Sequence, residues 1–355
     1  MKRNILILGA SYGSLLASKI MFGGHDVTLV CLPTEVDLIN SEGFRVRMPI
    51  RGRADQIEID SRKLAGKVRA SGPTEIDLDG YDLVGLAMQE PQYRSAGMPQ
   101  LMSKIAASGL PCMSIMNMPP LPFLRRFSGL DCDALKPAFY STEIWDKFAP
   151  AQMTLCSPDP QAVRPHDEKI NVLQVTLPTN FKVAKFDSEN STAILRGLQD
   201  DVDAVRYGMS DGVVELPVKI RVYDSIFVPL AKWAMLLAGN YRCITADGMR
   251  TAQEAVHSNP DESRSIYQFV TEVCLKLGAK APDMVPFDKY ADAAKSLSRP
   301  SSAARALNNG APAIERTDKL VQLVAAQFGM RHPVVDAIVQ LVDSRLNVNC
   351  RAKVA

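Results

Sequence analysis

Three stretches in the second half of the chain carry residues whose types and spacing could do chemistry. The first is Lys232, inside the apolar helical run Ala231-Lys-Trp-Ala-Met-Leu-Leu-Ala-Gly-Asn240. A helix turns about 100° per residue, so Asn240 falls about 80° round and two turns along from Lys232, with Leu236 between them. A lysine in such surroundings either snorkels to water or has a lowered pKa and a task. The second stretch is Pro300-Ser-Ser-Ala-Ala-Arg-Ala-Leu-Asn-Asn-Gly310, where Ser301 is a good N-cap and Gly310 a good residue to follow a helix end. Capping alone would explain both. The third is Ile314-Glu-Arg-Thr-Asp-Lys-Leu320, which opens a helix. There Glu315 and Lys319, four apart, are expected to pair on a solvent face.

The element that must position any reaction partner lies at the other end of the chain. Ile5 to Leu8 is an unbroken apolar run, suited to a strand buried on both faces of a parallel sheet. It breaks at Gly9, and apolar residues resume at helical spacing with Leu15, Leu16, Ile20 and Met21. Strand, glycine turn and helix in that order offer N–H groups and a positive dipole end to a phosphate. Against the fingerprint Gly-x-Gly-x-x-Gly the three positions hold Gly9, Ser11 and Ser14, with Gly13 in addition. Gly9 permits the tight turn, the Ser11 hydroxyl is able to bond a phosphate oxygen, and Ser14 is small enough for close helix–strand packing.

Bulk properties remove several function classes. The chain has 355 residues, enough for about two domains, and a formal charge of +2, which gives no electrostatic case for nucleic acid or an anionic membrane. No apolar run reaches the roughly 20 residues that span a bilayer. Seven cysteines, with no paired metal spacing, read as the reduced thiols of a cytoplasmic protein. His25, His166, His257 and His332 are far apart, so no metal site is expected. No Gly-x-Ser-x-Gly follows a strand, which disfavours a serine hydrolase.

Along the chain, Val27–Val30 reads as a second strand, ending at Cys31-Leu32-Pro33 where an acid would favour NAD and a base NADP. Neither is there, and Arg45, Arg47, Lys2 or Arg3 would have to bring charge from elsewhere. Residues 42–70 suggest an edge hairpin. Buried strands follow at 81–88 and 111–116, separated by a helix over 99–108. They end at Gln89 and Asn117, on the side where open α/β sheets bind ligands. Strands at 153–156, 172–176 and 182–186 and a helix at 191–198 complete an α/β half. From about Val218 helical periodicity takes over, with Val222, Ile226, Leu230, Trp233 and Leu237 on one stripe. Further helices are expected at 251–256, 261–277, 302–308, 314–328 and 333–346.

Taken in order, the nucleotide-binding half, the strand-ending Asn117, Lys232 with Asn240, Ser301-Ser302 and Glu315-x-x-Asp318 resemble the ketopantoate reductase family over most of the chain. The chain departs from the family pattern at Leu236 (an asparagine there), Met118 (a glycine), Gln89 (a lysine) and Leu32 (an arginine), and by one extra residue between Gly310 and Glu315. The departures leave the substrate and the choice of dinucleotide open. The resemblance implies a Rossmann-type doubly wound sheet over 1–214 and an all-helical domain over 215–355. It implies NAD(P)H-dependent reduction of a 2-oxo acid or related carbonyl, with NADP as first choice and NAD as second. Lys232 would be general acid and electrostatic stabiliser, with Glu315 and Asn240 completing the catalytic group. Gly9, Ser11, Tyr12, Gly13, Ser14, Gln89 and Asn117 would hold the cofactor, while Asn240, Ser301 and Ser302 would hold the substrate. The expected partners are a small oxo substrate and a second copy of the chain in a homodimer. Two other readings stay open: an opine- or imine-type dehydrogenase reducing C=N, and a non-catalytic cofactor-binding or interaction protein.

Overall fold

A computed structural model describes residues 1–50, 52, 56–209 and 212–354. The chain forms two compact units. The first comprises residues 1–88, 92–123 and 143–226; the second comprises 89–91, 124–142 and 227–355.

The first unit is built on strands β1 (Asn4–Leu8), β2 (Asp26–Val30), β3 (Arg45–Pro49), β4 (Gln56–Asp60), β5 (Val68–Ser71), β6 (Leu83–Leu86), β7 (Cys112–Ile115), β8 (Met153–Ser157), β9 (Gln161–Val163), β10 (Val172–Leu177), β11 (Phe181–Ala184), β12 (Tyr207–Met209), β13 (Gly212–Val214) and β14 (Ile220–Tyr223). Eight of them form one sheet in the order β14-β11-β8-β7-β6-β1-β2-β5. From β5 to β8 every neighbouring pair is parallel. That is the strand order of a Rossmann sheet, with its switch point between β1 and β6. β11 is antiparallel to β8, and β14 runs parallel to β11 as the edge. The α/β class with a parallel Rossmann-type sheet and a helical C-terminal region is therefore the observed one.

A second sheet, β4-β3-β10-β9, was not expected as a separate layer. The hairpin read into residues 42–70 is real as β3 and β4, but β10 pairs with it from more than 120 residues away. The helix Gly13–Phe22 contacts β1 and β2 on one side and β3 on the other. Its residues 13–21 are consequently all buried. Two hydroxyls in this apolar setting satisfy themselves on backbone carbonyls: Ser14 on Ala10 and Ser18 on Leu15. Chain order alone also missed the crossover helix Pro33–Glu42, because only Glu35 and Ile39 of it are buried and no apolar stripe marks it.

Strand β14 corrects the domain boundary. Val222 and its neighbours were read as the start of a helical stripe, yet Ile220–Tyr223 pairs with β11, and the first unit runs to Ile226 rather than 214. So short a segment, Ile-Arg-Val-Tyr, fits an edge strand and a helix equally well until its partner is known. In the second unit the main helices are Ala231–Met235, Ala252–His257, Pro260–Leu277, Phe287–Ala294, Ser302–Asn308, Thr317–Gln327 and Pro333–Val354. The last continues past the expected end at 346, and Phe287–Ala294 is additional. Among the described residues no helix is long and apolar enough to cross a membrane.

Candidate functional site

In the first unit the strand, glycine turn and helix expected around Gly9 are present. Gly9 takes φ +102°, and its N–H bonds the carbonyl of Val30 at 2.8 Å, tying the end of β1 to the end of β2. A Cβ at Gly9 would lie 2.7 Å from Met88 Cγ and 2.8 Å from the Ala87 carbonyl oxygen. Both the conformation and the space demand glycine. Gly13 opens the helix, and a Cβ there would lie 2.8 Å from Ile7 Cγ2. Gly13 therefore provides the close helix–strand approach assigned above to Ser14. The Ser14 hydroxyl faces inward, 2.8 Å from both the Ala10 and Ser11 carbonyl oxygens. Ser11 is exposed. No side chain caps the helix, although the Ser14 N–H reaches the Ser11 carbonyl at 3.4 Å and the Leu15 N–H the Tyr12 carbonyl at 3.1 Å.

The Tyr12 side chain is engaged within the protein. Its hydroxyl donates to the Pro160 carbonyl at 2.6 Å, and its ring meets Phe181 edge-on at 6.0 Å. Burial pushes the phenol well above its ordinary pKa, with the Cys156 thiol and the Asp159 carboxylate adding to the effect, so it stays a neutral donor. Asn117 lies two residues beyond β7, half-buried, at the carboxyl edge of the sheet.

The end of β2 holds charge that the local sequence concealed. Glu35, the third residue of the helix Pro33–Glu42, is 6% exposed. Its Oε2 accepts the Leu32 N–H at 3.2 Å, and its Oε1 is ion-paired with Arg164, which follows β9. None of the four cations named from sequence is there. Lys2 pairs with Asp26 and Arg3 with Asp82 at the opposite edge of the sheet. Arg45 and Arg47 are held by Glu58, and Arg47 also by Glu168, on the second sheet. Burial, with Glu35 in support, pushes the Cys31 thiol up to about 12, Arg164 opposing. It is not a thiolate at neutral pH.

In the second unit Lys232 and Asn240 belong to one continuous helical segment that changes type midway. Ala231–Met235 is α-helical and Leu236–Asn240 is a π-helix. A π turn closes i to i+5, so each residue advances by less than 100°. The expected 80° offset shrinks, and Asn240 swings back toward the Lys232 face. Lys232, Met235 and Asn240 are the half-buried positions of this segment; all the others are buried. Leu236 is 3% exposed, so its apolar character is a core requirement. Widened turns leave carbonyls to satisfy, and neighbours satisfy them here. The Tyr290 hydroxyl donates to Met235 O at 3.1 Å, Arg242 Nη1 to Ala238 O at 3.2 Å, and the Ser301 hydroxyl to Asn240 O at 2.7 Å. Arg242 is buried and also bonds Ala255 O, Ser263 Oγ and Glu262.

Gly239 makes this possible: a Cβ there would fall 1.9 Å from Tyr290 Oη. Gly239→Ala should therefore expel the tyrosine hydroxyl and unseat the π segment. The expected destabilisation is ~1–3 kcal/mol by overpacking, read as a lowered denaturation midpoint. An unchanged midpoint would show that the π turn tolerates the methyl.

Three other predicted residues gather round the end of that segment. Ser301 both donates to Asn240 O and accepts from Ala304 N–H, so its hydroxyl is fully engaged; Ser302 beside it is exposed. Glu315 is 6% exposed and precedes the helix Thr317–Gln327, which overturns its expected solvent pairing with Lys319. The Tyr241 hydroxyl donates to Glu315 O and accepts the Thr317 N–H at 2.9 Å, fixing this loop to the residue after Asn240. Arg316 meets Asp318 through two bonds of 3.0 and 2.9 Å, and Asp343 as well. Gln89 falls in this unit, next to Glu90, whose buried carboxylate accepts the N–H groups of Tyr140 and Ser141. Among the described residues no group of three or more His, Cys, Asp or Glu side chains is placed to hold a metal ion.

No protein-family model matches the sequence, and no curated protein matches it. Solved structures do match, over nearly the whole chain. A 2-dehydropantoate 2-reductase from Methylococcus capsulatus is 13% identical with a TM-score of 0.64, covering 98% of this chain and 97% of that one. D-mandelate dehydrogenase in a ternary structure with NADH and anilino(oxo)acetate is 13% identical with a TM-score of 0.64, covering 98% and 99%. A dimeric ketopantoate reductase from Staphylococcus aureus is 11% identical with a TM-score of 0.57, again covering 98% and 99%. The chain thus has the fold of the ketopantoate reductases.

Proposed function

We propose that this protein is an NAD(P)H-dependent oxidoreductase that reduces the keto group of a 2-oxo acid or a related carbonyl. The observation that carries the reading is the Gly9 turn, at the β1–β6 switch point of a Rossmann-ordered sheet, with an uncapped helix N-terminus behind it. These residues fit a dinucleotide: the positive φ of Gly9 and its close packing on Ala87 and Met88 make the tight turn that brings the chain from β1 into the helix Gly13–Phe22. The structural neighbours include a dehydrogenase solved with NADH and an oxo acid derivative, which supports the class of reaction.

When bound, the cofactor supplies hydride to the carbonyl carbon. This chain's residues do the rest. Lys232 stabilises the oxygen as negative charge develops and gives it a proton. Asn240, turned by the π segment toward the Lys232 face, orients the substrate. Glu315, buried and held by Tyr241, accepts a hydrogen bond from a substrate hydroxyl or amine. Ser302 is the serine with a free face for a substrate carboxylate, whereas Ser301 positions Asn240. Asn117 contacts the nicotinamide ribose or the substrate. A homodimer is the expected assembly, as in the Staphylococcus aureus neighbour.

Leu236, where the family pattern has an asparagine, is buried in the helical core, so that departure gives no support to the imine-reducing alternative. The deciding assay follows NADPH and NADH oxidation with a panel of 2-oxo acids, with and without an added amine. Turnover without amine is the expected result. Turnover only with amine would replace this reading by C=N reduction, and binding of neither dinucleotide would leave the non-catalytic class.

A further inference from the structure

The strand β9 is pinned at both ends to the two places where a dinucleotide should lie. Just before it, the Pro160 carbonyl takes the hydroxyl of Tyr12 from the glycine turn. Just after it, Arg164 pairs with Glu35 in the first turn of the helix that follows β2. In a Rossmann unit the end of β2 meets the adenosine ribose, and its charge decides between a free 2′-hydroxyl and a 2′-phosphate. The residues that directly follow β2 are Cys31 and Leu32, which carry no charge suited to either.

Donor accounting decides which member of the ion pair is available. Both oxygens of Glu35 are engaged, Oε2 by the Leu32 N–H and Oε1 by Arg164, and its side chain is 8% exposed. It has little left to offer a ribose hydroxyl. Arg164 is the opposite. Its side chain is 32% exposed, and its bond to Glu35 uses one nitrogen of a guanidinium that carries five N–H donors. A guanidinium fork matches a phosphate in geometry and charge. Glu35 then acts as the anchor that aims it. Leu32, 66% exposed, offers an apolar face for adenine beside it.

We infer that Arg164 binds the 2′-phosphate of NADPH, standing in from a distant strand for a residue that would otherwise follow β2, and so sets the preference for NADPH over NADH. This rests on the reading that the first unit holds a nicotinamide dinucleotide. Arg164 is a specificity determinant here, and Glu35 is its positioning residue.

Direct titration of the purified protein with NADPH and with NADH, followed by calorimetry with no oxo substrate present, tests the assignment. The wild type should bind NADPH at least ~10-fold tighter than NADH, the range of charge-assisted hydrogen bonds to a phosphate. In Arg164→Gln the ratio should fall to near 1, with NADH affinity kept within ~3-fold. Should that variant fail to fold because Glu35 is left buried and unpaired, the double variant Glu35→Gln/Arg164→Gln removes both charges and is read instead. A wild type that binds NADH as well as NADPH overturns the assignment and leaves the dinucleotide reading standing. So does a preference for NADPH that survives loss of Arg164. Binding of neither dinucleotide overturns the underlying reading itself.

Discussion

Lys232→Ala is expected to lower kcat/KM by at least ~100-fold, with dinucleotide affinity kept within ~2-fold. The lower bound is the usual loss when a general acid is removed. Alanine keeps the helix, since it is the best helix former and the position is half-buried. On the proposed mechanism, loss of the ammonium removes both the proton donor and the charge that stabilises the forming alkoxide. Lys232→Arg separates the two contributions. A guanidinium retains the charge, but it holds its protons too tightly to be a good proton donor. It should recover part of the lost rate and shift the pH profile. Steady-state kinetics of the three proteins, with NADPH titrated separately, measures all of this. Near-normal turnover in the alanine variant would remove Lys232 from the mechanism and leave the glycine turn untouched.

Lys19→Met is expected to stabilise the first unit at neutral pH by on the order of 4 kcal/mol and to flatten its pH dependence. Lys19 is 1% exposed, within the helix that passes between the two sheets. Its amine donates to the Pro217 carbonyl at 2.5 Å and lies 3.5 Å from Met48 Sδ, with no carboxylate among its hydrogen-bond partners. Burial, aided by Lys219, lowers its pKa from 10.5 to about 7. A base whose pKa is depressed by folding binds fewer protons in the native state than in the unfolded chain. The penalty is therefore full below about pH 7 and is relieved as pH rises from about 7 to 10.5. At ~1.4 kcal/mol per pKa unit the whole penalty is on the order of 5 kcal/mol. Methionine removes it but gives up the bond to Pro217, worth ~1 kcal/mol, next to the left-handed Val218 at φ 66°. Denaturant unfolding at pH 7, 8 and 9 should show the wild type gaining on the variant with each step. Parallel pH profiles for the two proteins would mean that Lys19 keeps its proton in both states and that folding does not lower its pKa.

Much of this could be read from the chain in order. The buried runs at Ile5–Leu8 and Val27–Val30, the break at Gly9 and the helical spacing after Leu15 depend on near neighbours. They appear in the structure as β1, β2 and the helix Gly13–Phe22. Lys232 and Asn240 were recognisable for the same reason: two polar residues in an apolar helical run are visible at a range of eight residues.

What the sequence determined by itself, then, was the kind of fold, the glycine turn and the polar pair on its helix, all of them products of local periodicity. Tertiary structure decided everything that needed a partner from far along the chain. Residues 172–177 make a second sheet out of an ordinary hairpin, and β11 turns Ile220–Tyr223 into a strand. Tyr290 and Gly239 shape the π segment that swings Asn240 round. The same sheets bury Lys19, and Glu35 draws Arg164 from 129 residues away to the end of β2. Hydrogen bonds and ion pairs act over a few ångströms in space whatever their separation in sequence. A residue's chemistry is thus written in its type, but its task is assigned by whatever folds up beside it.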